Sequence, residues 1–271
     1  MKKILIIGKR GFIGKHLYKY LKNTFYIKNI SFKNVNEYKK KINNFDFIIN
    51  TSINKKYVSS KYNEKFDNDL KIAKFINNNK TIYCFISTRK VYQTKANLKE
   101  KSILSPKSYY SKNKLITEKK ISEKFRDNFL ILRVSNIIGD TEISKRIHHT
   151  FIDIYQNNIK KGIIFDNGKA FKDFLSIEKF CQILKEIIKK KLTGTYNVSI
   201  GRKIYLNDLI SWLNKYNKKK LIIKKNLNLK KESFYLNNKK LMSKIKVQNS
   251  QKELKIFCIK YSKKKFSNSQ N

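Results

Sequence analysis

The sequence predicts an α/β chain: a doubly wound parallel sheet followed by a smaller carboxyl-terminal region. Three observations carry this. Gly8, Gly11 and Gly14, three of only eight glycines, stand within seven residues directly behind the apolar run Ile4-Leu5-Ile6-Ile7. Strand and helix signals then alternate as far as Val134, with the lengths of strand–helix–strand units covered on both faces. The 271 residues suffice to bury a full core.

Taken in order, Ile4–Ile7 reads as a buried strand and His16–Leu21 as an amphipathic helix. Phe25–Ile30 is a second strand. Phe45–Asn50 is a third, centred on Phe47-Ile48-Ile49. Asp67–Asn77 reads as a helix, Thr81–Ser87 as a strand, and Ser108–Phe125 as a long helix behind the sole proline, Pro106. Phe129–Val134 is the next strand. Beyond about residue 140 the pattern loosens through Ile143–Lys161 and the turn-rich Gly162–Asp173. A helix at Ile177–Lys190, a strand at Thr195–Ser199 and a helix at Leu206–Tyr216 follow. Lys218–Lys231 is basic and only faintly alternating. The polar, lysine-rich residues after Val247 read as a frayed tail. The expected organisation is therefore a first domain over 1–140, a second region over 141–247 with some elements packing back on the first, and a basic tail over 248–271.

The formal charge of +44 invites a nucleic-acid reading. Its make-up argues otherwise: only Arg10, Arg89, Arg126, Arg133, Arg146 and Arg202 of the 63 basic residues carry the planar fork suited to phosphates and bases. The lysines are spread along the chain among asparagines, so the charge reads as compositional drift on solvated faces that still draws anionic ligands to a cleft. Specific nucleic-acid binding is not expected. No window approaches the roughly 18 apolar residues of a membrane span. Cys84, Cys181 and Cys258 are isolated and odd in number, which suits a reducing cytoplasm. His16, His148 and His149 lack the spacing of a metal site, and no metal is expected.

The chemistry begins at the glycines. A strand, a glycine turn and a helix form a dinucleotide cradle: Gly8 allows the tight turn, Gly11 the approach of a pyrophosphate, and Gly14 close packing of helix on strand. The first helical amides then face the phosphates. Tyr110 and Lys114 are one helical turn apart and share a face. A phenol is a poor base at neutral pH, and a neighbouring ammonium stabilises its anion. Such a pair can pass a proton to or from a hydroxyl or ketone while hydride moves to or from a nicotinamide. Spacing alone does not single it out, because Tyr-x-x-x-Lys also starts at Tyr18, Tyr57, Tyr216, Tyr235 and Tyr261. Only the Tyr110 copy stands at a helix start behind a strand ending in a hydroxyl, Thr88.

In sequence order, Gly8-x-x-Gly11-x-x-Gly14, Phe85-Ile86-Ser87-Thr88-x-x-Val91-Tyr92, Ser108-x-Tyr110-x-x-x-Lys114-Leu115-x-x-Glu118 and Leu132-Arg133-x-x-Asn136-x-x-Gly139 resemble the extended short-chain dehydrogenase/reductases. The likeness is to their branch of nucleotide-sugar epimerases, dehydratases and ketosugar reductases. Gly168–Phe174, Thr195-Tyr196-Asn197-Val198 and Ser233-Phe234-Tyr235-Leu236 agree more loosely, so the resemblance spans roughly residues 2–247. It implies a Rossmann-type sheet with a carboxyl-terminal substrate-binding region. It implies Tyr110 as catalytic acid/base and Lys114 on the nicotinamide ribose. Thr88 would hold the sugar oxygen, and Asn136 and Lys172 the substrate diphosphate. Gly8, Arg10, Gly11, Phe12, Ile13, Gly14, Ser31, Lys33 and Thr51 would join Tyr110 and Lys114 around the cofactor. A homodimer through the Tyr110 helix is also implied.

Two departures narrow the reaction. Dehydratases of this family place Asp-Glu after the threonine, whereas Arg89-Lys90 stands here, and two cations cannot serve as a carboxylate acid and base. No carboxylate follows the second strand to take a ribose 2′-hydroxyl. Arg10, with Ser31 and Lys33, suits a 2′-phosphate instead, so NADP(H) is expected over NAD(H). The expected activity is a 4-ketosugar reductase acting on a nucleotide-linked sugar for surface-polysaccharide synthesis. An NAD-dependent 4-epimerase is the first alternative. A non-catalytic or RNA-binding protein of the same fold is the second, supported by charge alone.

Overall fold

The computed structural model describes residues 1–139, 151–225 and 233–267. Five parallel strands come from the first half of the chain: β1 (Lys3–Ile7), β2 (Tyr26–Ile30), β3 (Phe47–Asn50), β4 (Ile82–Thr88) and β5 (Phe129–Val134). The helices between them are α1 (Phe12–Leu21), α2 (Lys55–Ser59), α3 (Asn68–Ala73) and α4 (Tyr109–Phe125). After β6 (Asn136–Ile138) the chain continues through α5 (Phe151–Lys160), β7 (Ile163–Asp166), β8 (Phe171–Lys172), β9 (Phe174–Ser176) and α6 (Ile177–Lys189). It then returns to the main sheet as β10 (Gly194–Val198). The remainder is β11 (Ile204–Tyr205), α7 (Leu206–Leu213), β12 (Ile222–Lys225), α8 (Lys239–Met242) and α9 (Gln251–Ser267).

The central sheet has the order β10-β5-β4-β3-β1-β2, and every pairing in it is parallel. The chain reverses its winding between β1 and β3, and a crevice opens there at the carboxyl ends of the strands. Alternation along the strands feeds two cores. Ile4, Ile6, Phe47 and Ile49 pack with Leu17 and Leu21 of α1 and with Phe180, Leu184 and Ile187 of α6. Leu5, Ile7, Ile48, Tyr83 and Phe85 pack on the other face with Leu70 and Ile72 of α3 and Ile121 and Phe125 of α4. Pleated strands send neighbours to opposite faces, so continuous apolar runs are what a sheet covered on both sides requires.

Helix ends follow local chemistry. Ser108 accepts from the Ser111 amide and Ser111 answers with its hydroxyl, a reciprocal cap that starts α4 just before Tyr110. Helix α1 starts at Phe12, directly behind the glycine turn and earlier than the apolar stripe alone indicates. Asp67 caps α3 through its carboxylate, and that helix ends at Ala73, short of the Asn77 expected. The frayed tail expected after Val247 is corrected. Gln251–Ser267 forms α9 and buries Leu254, Cys258 and Tyr261 in a third core with Leu209 and Leu213 of α7. The expected soft boundary at residue 140, His148, His149 and residues 143–150 of the loosened stretch Ile143–Lys161 lie outside the described residues.

Candidate active site

At the crevice, Gly8 adopts φ +118°, a conformation that favours glycine, and its amide donates to Ile30 O at 2.8 Å. A Cβ on Gly8 would overlap Thr51 Oγ1. One on Gly14 would overlap the Gly8 carbonyl oxygen and stand 2.8 Å from Thr51 Oγ1. Thr51 Oγ1 itself donates to Ile7 O at 2.9 Å, so this hydroxyl fills the notch that the glycines leave. The start of α1, capped by Gly11 with no side-chain hydrogen bond, faces the same crevice through Gly11, Phe12 and Ile13. This cradle fits a dinucleotide pyrophosphate.

A cleft of about 790 Å³ runs from the glycine turn across the carboxyl ends of β1, β3 and β4 to β6 and β8. It brings together Gly8, Arg10, Gly11, Phe12, Ile13, Ser31, Lys33, Thr51, Thr88, Tyr110, Asn136 and Lys172, twelve of the fourteen residues singled out from the sequence. Gly14 and Lys114 do not line it. Gly14 is spent on the contact with Gly8. Lys114 is buried, and its ammonium lies behind the wall, donating to Ile86 O at 2.8 Å and standing 4.3 Å from the Phe85 ring centre. Among the described lining residues the charged groups are Lys9, Arg10, Lys33, Arg89, Lys90 and Lys172, with no carboxylate. Sequence reasoning named Arg89 and Lys90 only as a departure, and Lys9 not at all; their adjacency to Thr88 and Gly8 was the available signal.

Of the six Tyr-x-x-x-Lys copies, only Tyr110 lines this cleft. Tyr57 instead bonds Thr117 Oγ1 at 2.7 Å, and Thr117 donates to Asp67 at 2.6 Å. Asn113 donates to the carbonyls of Tyr57 and Ser60. These contacts pin the helix that presents Tyr110. Burial raises the Asp69 carboxyl to about 6, against the opposing pull of the Lys114 ammonium, and Tyr83 donates to it at 2.9 Å.

A second network supports the β4 end. Arg133 grips Glu118 through Nε at 3.1 Å and Nη2 at 2.6 Å, and Ser87 donates to the same carboxylate. Arg133 Nη1 reaches Tyr92 Oη at 3.0 Å, and Tyr92 donates to Asn197 Oδ1 at 2.8 Å. The motif positions Ser87, Tyr92, Glu118, Arg133 and Asn197 are thus one buried polar lattice that reaches the cleft through Ser87. On the far wall, Asn136 Nδ2 donates to Asp173 O at 2.9 Å. The Asp173 carboxylate accepts from the amides of Ile200, Gly201 and Leu236, and burial nonetheless raises it to about 7. Asp173 therefore ties β8–β9, the loop after β10 and residues 233–237 into one wall.

A glycine cradle at the switch point of a parallel sheet, opening into a cleft with a tyrosine and a threonine, defines a dinucleotide-binding α/β protein. Residues 4–199 match the model of the NAD dependent epimerase/dehydratase family, and the chain belongs to that family. It is 27% identical over 256 residues to a dTDP-D-glucose 4,6-dehydratase of Dictyostelium discoideum, covering 73% of this chain. The match spans 58% of that relative's length. Among solved structures, a UDP-N-acetylglucosamine 4-epimerase from Methanobrevibacter ruminantium, in complex with UDP-N-acetylmuramic acid, superposes with a TM-score of 0.77 at 19% identity. That match covers 100% of this chain and 99% of the other. A dTDP-4-dehydrorhamnose reductase from Yersinia enterocolitica gives 0.74 at 19%, over 97% and 100%. The family is thus fixed, while its relatives carry out three different reactions on nucleotide sugars. Among the described residues no helix is long and apolar enough to cross a membrane.

Proposed function

We propose that this chain is an NADPH-dependent reductase of a nucleotide-linked 4-ketosugar, with residues 1–140 as the cofactor-binding domain and 141–247 as a substrate-binding region. The supporting observation is the cleft lining among the described residues: six cations and no carboxylate. Elimination of water from a sugar needs a carboxylate acid and base beside the reacting carbons, and Arg89-Lys90 stands after Thr88 instead. Arg10, Ser31 and Lys33 at the β1–β2 end suit a 2′-phosphate, and that preference favours net reduction over a retained, recycled NAD.

The bound nicotinamide would supply hydride to the ketone carbon. Tyr110 donates its hydroxyl proton to the ketone oxygen, and Thr88 holds that oxygen by a hydrogen bond. Lys114, anchored on Ile86 O, ties the tyrosine's own helix to the strand that carries Thr88. Asn136 and Lys172 take the diphosphate. Phe12, Ile13, Val134 and Phe151 give the cleft its apolar walls, which keep water from the hydride.

Oxidation of NADPH and of NADH is to be followed over a panel of nucleotide-linked 4-ketosugars. Faster turnover with NADPH is expected. Protein that purifies with tightly held NAD and interconverts sugars without added reductant would instead be an epimerase, and that result would remove this reading.

A further inference from the structure

Resting on that reading, the charges buried beneath the cleft give a task to a residue that the mechanism has not used. The layer that α3 and α4 cover on the sheet encloses Asp67, Asp69, Lys114 and Glu118, all buried. A charge taken out of water needs a partner of opposite sign or several hydrogen bonds. Glu118 has Arg133. Asp67 accepts from the amides of Asp69 and Leu70 and from the Thr117 hydroxyl. That leaves one carboxylate, Asp69, and one ammonium, Lys114.

Both are seated on β4, against side chains of one face. Asp69 accepts from Tyr83 Oη at 2.9 Å. The Lys114 ammonium stands 4.3 Å from the Phe85 ring centre and donates to Ile86 O at 2.8 Å. Residues two apart on a strand share a face with Cα atoms roughly 7 Å apart, so the two charges occupy adjoining places where screening is weak. The Lys114 charge draws the Asp69 carboxyl towards ionisation, against the larger effect of burial. Such a pull is mutual, and the carboxylate holds the ammonium charged in return. The other titratable groups facing Asp69 are Asp67 on its own helix, Tyr57 of α2, and Tyr83 and Cys84 of β4. Burial raises Tyr57, Tyr83 and Cys84 and keeps them neutral, so Lys114 is the cation of this set.

We propose that Asp69 is a positioning residue for the reduction: its carboxylate is the counter-charge that keeps Lys114 an ammonium, one helical turn from Tyr110, and so sets the upper pH at which turnover persists. Loss of a buried negative charge lets neighbouring groups release their protons at lower pH. Asp69→Asn keeps an oxygen for Tyr83 and removes the charge. The test uses the full chain labelled with ¹⁵N at lysine Nζ, with Lys114→Arg identifying the signal. Lys114 should lose its proton at least about one pH unit lower in Asp69→Asn than in the parent. The high-pH limb of NADPH oxidation over the 4-ketosugar panel should move by the same amount. In the parent, the Lys114 Nζ signal should also shift as pH falls through about 6, where Asp69 takes up a proton. That measurement stands even if the variant does not fold. A Lys114 midpoint or a high-pH limb unmoved by Asp69→Asn would overturn the proposal alone, as would a parent signal indifferent to pH near 6. No turnover of any panel sugar while NADPH binds would overturn the reductase reading, and the role assigned to Asp69 with it.

Discussion

At the scale of single residues the proposed reduction turns on Tyr110. A hydroxyl placed as general acid contributes about 10²–10⁴ in rate. Tyr110→Phe is therefore expected to lower turnover by at least about a hundredfold and to leave NADPH affinity intact, as fluorescence titration would report. Full activity in that variant removes Tyr110 from the chemistry. Ser31 tests the cofactor argument separately. Ser31→Asp places a carboxylate where the 2′-phosphate is expected and should shift the NADPH-to-NADH affinity ratio by about tenfold towards NADH. An unchanged ratio contradicts the assignment of Arg10, Ser31 and Lys33. Most of this site was legible because glycine is scarce here and because Tyr110 follows both a capped helix start and Thr88. What could not be read was direction. Spacing puts Lys114 on the face of Tyr110, but only the packed chain shows its ammonium turned to Ile86 O behind the wall.

Among elements, the strongest coupling joins β4, α4 and β5 through Ser87, Glu118 and Arg133. The side chains of Glu118 and Arg133 are 5% and 8% exposed, so this is a buried pair. Glu118→Ala would leave the Arg133 guanidinium buried without its counter-charge, held only by Tyr92 Oη and Glu100 O, at a cost of about 3–5 kcal/mol. Thermal melting should fall by on the order of 10 °C. A loss within about 1 °C would mean that Arg133 finds another partner. The elements themselves were unequally legible. Strands β1 to β5 announce themselves because they are buried on both faces and read as unbroken apolar runs. Helix α9 did not. Its buried stripe of Leu254, Cys258, Tyr261 and Ser262 follows i, i+4, i+7 and i+8, yet lysines at every other turn hide it from a composition-based reading.

For the whole molecule the carboxylates matter more than their number implies. Asp67, Asp69, Glu118, Asp153 and Asp173 are buried, which leaves the surface still more positive than the composition indicates. Burial raises Asp69 to about 6 and Asp173 to about 7, so the folded state holds protons that the unfolded chain releases near pH 4. Their contribution to stability is complete below that pH and is lost as pH rises through 6 for Asp69 and 7 for Asp173. Asp173→Asn should therefore flatten the decline in stability between about pH 4 and 7 relative to the parent, as read by denaturant melts across that range. Curves that stay parallel would show that Asp173 does not titrate there.

The return of β10 to the outer side of β5 has a consequence for biosynthesis. The ribosome releases the first five strands well before Gly194, and through that interval the free edge of β5 offers unsatisfied amides and carbonyls to any neighbouring strand. The nascent chain thus passes through a sticky stage that ends only when a later segment docks, and a chaperone able to shield an open sheet edge would act in that window.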